Sequence, residues 1–185
     1  RKLNSTPGAV YAAWTEPSLV ARWLAPGADA VTSVTMDVRK GGRYRIEGRH
    51  GDGSLYSFSG TYLDLAVDHR VAMSWVYDGP VHALKSGASI VVAEIRPLGS
   101  DLTELTLTHE KLSERDEAEI YRVSWSECMG KLENVAADLP HSRKHFDEQR
   151  ATDFYSDSQR EMQDRFKTRA LADRLEAVLV HDHLS

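Results

Sequence analysis

The stretch Asp37-Val-Arg-Lys-Gly-Gly-Arg-Tyr-Arg-Ile46 decides the fold class of this chain. It closes one strand, turns on Gly41-Gly42 and opens a second strand that alternates: Tyr44 and Ile46 point one way, while Arg43, Arg45, Glu47 and Arg49 point the other. Period-two alternation describes a sheet with one wet face and one face covered by something apolar. A Gly-Gly pair supplies the positive φ of a tight hairpin. What covers the dry face, and whether the cover leaves a hollow, is the question for function.

Strand-like runs continue outward from this point. Val31–Val38 precedes it, with Val34, Met36 and Val38 on one side. Gly51-Asp52-Gly53 marks the next hairpin turn, and Leu55–Leu65 sets Tyr56, Phe58, Gly60 and Tyr62 on one side. Val71–Tyr77 aligns Val71, Met73, Trp75 and Tyr77, Ser89–Ile95 is nearly continuous in apolar residues, and Leu102–Lys111 places Leu105, Leu107 and His109 together. Short polar connections predict an antiparallel meander of about six strands. Two short helices precede the strands, Pro7–Trp14 and a second restarted at Pro17 that carries Leu19, Val20, Trp23 and Leu24. A long helix follows, Glu117–Leu139, whose stripe of Tyr121, Trp125, Cys128, Leu132, Val135 and Leu139 recurs at steps of three and four and stops at Pro140. The prediction is an α+β domain over 1–139, a polar linker over 140–153 and a helical tail over 154–185.

Bulk properties bound the function. The chain has 185 residues, 41% hydrophobic content and a net charge of −5. It has composition enough for a core, and its acidity argues against a nucleic-acid partner. The row Arg39, Lys40, Arg43, Arg45, Arg49 and His50 therefore reads as a solvated sheet face. A single cysteine, Cys128, permits no internal disulfide and points to a reducing, cytoplasmic setting; on the helix stripe it reads as an inert small hydrophobe. No apolar run has the roughly 18–20 residues of a bilayer span, and no membrane partner is expected.

These residues are familiar as a set. Pro7-x-x-Val10-Tyr-x-Ala-Trp14-Thr-x-Pro17, Leu19-x-x-x-Trp23-x-x-Pro26, Asp37-x-Arg39-x-Gly41-Gly42-x-Tyr44 and Gly60-Thr-Tyr62-Leu follow one another in order. Arg70-Val-x-x-Ser-Trp75, Thr103-Glu-Leu-Thr-Leu-Thr-His109-Glu110 and Trp125 continue the series. Together they resemble the bacterial homologues of the heat-shock-protein-90 ATPase activator, a family of the START-like (SRPBCC) superfamily. The resemblance implies a helix-grip fold: a curved antiparallel sheet wrapped around the long C-terminal helix, with a cavity between them. Two positions depart from the family pattern. Ser124 stands where a glycine usually precedes the helix tryptophan, and Leu24 where a second aromatic often follows Trp23. The tail, from Phe154 to Phe166 and on through Leu171-Ala-Asp-Arg-Leu175, resembles the lead-in helices of pyridoxamine-phosphate-oxidase-like flavin proteins. The flavin-binding barrel itself has no counterpart here, so no cofactor is expected.

The candidate ligand-lining residues are the inward rings. From the helices come Trp14, Trp23 and Trp125; from the strands Tyr44, Phe58, Tyr62, Trp75 and Tyr77; and His109 joins them. Ring-rich linings with a few polar atoms suit a small apolar or aromatic ligand, whereas a plain core more often uses Leu, Ile and Val. The competing reading makes each ring ordinary core, and His109 a satisfied structural group. No Ser, Cys or Asp stands at a spacing that would pair with His109 as a nucleophile, so no catalytic residue is assigned. His141 with His145, and His181-Asp182-His183, are too sparse to define a metal site. The leading expectation is non-catalytic binding of a small apolar or aromatic ligand. The alternatives are a co-chaperone-like interaction module and a cyclase- or hydrolase-type enzyme using His109 with a tyrosine. The tail is expected to dock or self-associate through Met162, Phe166, Leu171, Leu175 and Leu179.

Overall fold

A computed structural model describes residues 1–85 and 87–139. The expected linker, the helical tail and both terminal histidine groups lie outside the described residues. The elements run β1 (Lys2–Leu3), α1 (Pro7–Thr15), α2 (Pro17–Trp23), β2 (Ala30–Met36), β3 (Arg43–Arg49), β4 (Leu55–Ala66) and β5 (Arg70–Asp78). A 3-10 turn at His82–Leu84 leads to β6 (Ser89–Pro97), β7 (Thr103–Glu110) and α3 (Arg115–Ala137). The strands form one antiparallel sheet in the order β1-β7-β6-β5-β4-β3-β2. This is the expected meander, with a seventh strand of two residues at one edge.

The Gly41-Gly42 turn works differently from its sequence reading. Only Gly41 has a positive φ, of 79°. Gly42 is required for space, because a Cβ there would lie 2.0 Å from the carbonyl oxygen of Asp37. β3 then alternates as expected, with Tyr44, Ile46 and Gly48 buried and Arg43, Arg45 and Arg49 exposed. β2 ends at Met36, so Val38 falls in the turn and is exposed.

The sheet departs from a regular ladder between β4 and β5. A Cβ on Gly60 would meet the Ser74 carbonyl oxygen at 2.0 Å, so the two backbones approach as only glycine permits. The Ser74 side chain substitutes for regular pairing: its Oγ accepts from the Thr61 N–H at 2.9 Å. The Ser74 carbonyl in turn accepts the Tyr44 hydroxyl at 2.7 Å. A register shift follows between Tyr62 and Asp64. Glycine contacts and bulges of this kind are how sheets curve.

α3 lies in the curve. Its buried residues include Tyr121, Trp125, Cys128, Leu132 and Val135, the stripe read from periodicity. Full burial of side chains this size contributes about 1.5–3 kcal/mol each. The helix starts with Glu117 turned back to accept the Ser113 N–H at 3.0 Å, which closes an otherwise open first turn. Thr6 caps α1 by accepting the Ala9 N–H at 3.2 Å, and Pro7 and Pro17 occupy the first positions of α1 and α2. No described helix is long and apolar enough to cross a membrane.

Candidate ligand pocket

Between the sheet and α3 the packing leaves a pocket of about 120 Å³. Phe58 on β4 and Trp75 and Tyr77 on β5 form its sheet wall, and Trp125 and Tyr121 face them from α3. Phe58 packs at a tilt against Trp75 with centroids 4.4 Å apart, and Trp75 meets Trp125 at 5.4 Å. Leu84 from the 3-10 turn and Leu24 and Pro26 after α2 contribute to the lining, as do Ser124 and Cys128 from α3. Burial pushes the Cys128 thiol up to about 12, so it remains a neutral thiol.

The polar part of the lining comes from residues distant in sequence. Asp29 precedes β2, His50 follows β3, and Tyr77 lies near the end of β5; antiparallel pairing brings all three to one end of the sheet. The Nδ1 of His50 is 2.8 Å from one Asp29 carboxylate oxygen, and the other oxygen accepts the Gly51 N–H at 3.0 Å. The Nε2 of His50 lies 3.3 Å from the Tyr77 hydroxyl, which accepts the Val81 N–H at 3.2 Å. Tyr56 covers the His50 ring at 4.3 Å between centroids. A Cβ on Gly48 would fall 2.5 Å from the Tyr56 hydroxyl, so that glycine makes the space the phenol occupies. The hydroxyl of Tyr56 is buried without a hydrogen-bond partner. Burial raises the pKa of both Tyr56 and Tyr77, keeping their hydroxyls protonated.

Four of the nine expected lining residues border the pocket: Phe58, Trp75, Tyr77 and Trp125. Trp14 and Trp23 pack together elsewhere in the core, edge to face at 4.7 Å, and Trp23 donates its indole N–H to the Ala13 carbonyl at 2.8 Å. Tyr44 and Tyr62 pack against each other at 5.8 Å by the β4–β5 irregularity. His109 lies outside the lining with both ring nitrogens engaged. Nδ1 accepts the Trp125 indole N–H at 3.1 Å, and Nε2 is 2.8 Å from the Ser89 hydroxyl, which donates to the Trp75 carbonyl at 3.1 Å. Burial lowers its pKa to about 4 against the opposing pull of Glu117, as befits a neutral structural ring.

Asp29, His50, Tyr56 and Tyr121 were absent from the sequence-level site. In sequence His50 belongs to a solvated basic row, but its side chain is only 21% exposed and its ring turns inward. The tight Gly51-Asp52-Gly53 turn beside it was the available signal. The rest of the row is surface: Arg39 pairs with Asp37 at 2.9 Å, Lys40 approaches Asp64 at 3.7 Å, and Arg45 pairs with Glu47 at 2.9 Å. No cluster of metal-ligating side chains occurs among the described residues.

A curved antiparallel sheet gripping one long helix, with a pocket at the contact, defines the helix-grip class of START-like domains. The chain belongs to the Activator of Hsp90 ATPase homolog 1-like protein family, whose model matches residues 4–137. Solved structures agree. A Chromobacterium violaceum protein is 26% identical with a TM-score of 0.66, covering 74% of this chain and 92% of its own. CalU16 from Micromonospora echinospora is 25% identical with a TM-score of 0.53, covering 75% of this chain and 73% of its own. An AHSA1 protein from Silicibacter pomeroyi shares the fold at 20% identity and a TM-score of 0.63, covering 74% and 94% respectively. No curated protein matches the chain.

Proposed function

We propose that this domain binds a small apolar or aromatic ligand, of about one ring, between its sheet and α3, and that it does so without catalysis. The observation that carries the reading is the pocket of about 120 Å³ walled by Phe58, Trp75, Tyr77 and Trp125. An engineered apolar cavity of about 150 Å³ in another protein holds benzene, so the space here suits a single ring and is too small for a sterol or a long acyl chain. Rings with polar edges orient a guest as well as contact it.

Titration with toluene, followed by tryptophan fluorescence and thermal unfolding, tests the proposal. At a hundredfold excess over its dissociation constant a ligand adds about 2.7 kcal/mol, which raises the unfolding temperature by several degrees. Ser124→Leu fills the pocket from α3 and is expected to abolish the response while the protein stays folded. A flat titration across benzene, toluene and phenol, or an undiminished response in the Ser124→Leu protein, removes the reading.

A further inference from the structure

The pocket has one wall that is not apolar, and its hydrogen bonding has a direction. A carboxylate only accepts, so the His50 Nδ1 facing Asp29 carries a proton. A neutral imidazole has one proton, which leaves Nε2 as an acceptor. Its partner is the Tyr77 hydroxyl at 3.3 Å, longer than the ordinary range for a hydroxyl donor. Tyr77 holds one proton and already accepts from Val81. His50 and Tyr77 both border the pocket. The wall therefore presents an acceptor, Nε2, beside a hydroxyl whose own proton can be redirected.

We propose that Asp29, His50 and Tyr77 form a hydroxyl-recognition site, and that the ligand of this pocket is a single-ring compound carrying an O–H group, a phenol or an enol. The ligand hydroxyl donates to His50 Nε2 in place of Tyr77, and Tyr77 turns its proton to the ligand oxygen. One oxygen that both donates and accepts satisfies both groups. An ether accepts from Tyr77 but gives Nε2 nothing, and a methyl group serves neither. Asp29 holds the imidazole in the tautomer that accepts, the role a carboxylate plays behind an imidazole in hydrolase triads. Tethered also to Gly51, it fixes the ring through two elements of the hairpin turn.

This inference rests on the pocket being a ligand site, and the two can fail separately. Phenol, anisole and toluene are titrated into the full 185-residue chain by calorimetry. Phenol is expected to bind about tenfold tighter than anisole or toluene, the effect of one well-made polar contact at a part-buried site. Tyr77→Phe and His50→Gln are expected to erase that preference, read as the ratio of phenol to toluene affinity within each variant. The ¹⁵N shift of His50 Nε2 in the unaltered protein should move on adding phenol and stay put with toluene, a readout independent of how the variants fold. If toluene binds and phenol binds no tighter, or if Nε2 does not respond to bound phenol, the hydroxyl site is wrong and the apolar pocket stands. If none of the three probes binds, both readings fall.

Discussion

The indole N–H of Trp125 donates to Nδ1 of His109 across 3.1 Å, so the helix and the last strand are joined by a hydrogen bond that only a neutral histidine can accept. Protonated, Nδ1 would turn an N–H toward the indole N–H. His109 is thereby tied to one charge state.

Acid stability should show this. Burial holds the folded pKa of His109 near 4 against an ordinary value of 6.5, so the unfolded chain binds the extra proton first. Stability from this group is complete above about pH 6.5 and is lost as the pH falls from there toward 4. Allowing for screening at a ring that is not fully enclosed, the loss is of order 2 kcal/mol. Urea midpoints at pH 7 and pH 4.5 should differ accordingly, and His109→Phe should flatten the difference. An equally steep fall in the variant would assign the acid sensitivity elsewhere.

Gly60→Ala is expected to be severe. Its Cβ would lie 2.0 Å from a main-chain oxygen of Ser74, and neither strand can withdraw without breaking the Tyr44 and Thr61 bonds made there. Overpacking against backbone costs about 3 kcal/mol or more. Gly41→Ala should cost less, since only its φ of 79° resists and no atom stands within 4 Å of the new Cβ. Comparable losses in the two variants, measured by denaturant unfolding, would contradict the close approach at Gly60.

Cys128 should be chemically silent although it borders the pocket. With a pKa near 12, about one thiol in ten thousand is ionised at pH 8, and only the thiolate reacts. An aromatic disulfide reagent is expected to modify the native protein at least a hundredfold more slowly than the urea-unfolded chain. Rapid labelling of the folded protein would mean that the pocket opens far more widely than its structure indicates.

Much of the grip was legible before any coordinates. The steps from Tyr121 to Val135 mark a one-faced helix, and the alternation through Tyr44 and Ile46 marks a one-faced strand; both patterns come from backbone periods that hold whatever the partner is. Gly60 was legible only as a residue on the ring-bearing side of β4. That it meets Ser74 depends on register between two strands, which periodicity does not report.

The hydrogen-bonded end of the pocket belongs wholly to the tertiary structure. Asp29, His50 and Tyr77 are separated by 21 and 27 residues. Apart from the Gly51-Asp52-Gly53 turn beside His50, nothing local marks them, because an Asp before a strand and a His at a turn are ordinary surface residues in sequence. The chain's own pattern determined which faces are dry, since burial follows the two periods of the backbone. Which rings fill the interior and which border a pocket was decided by curvature and pairing, because a side chain that packs a core and one that lines a hollow carry the same letter.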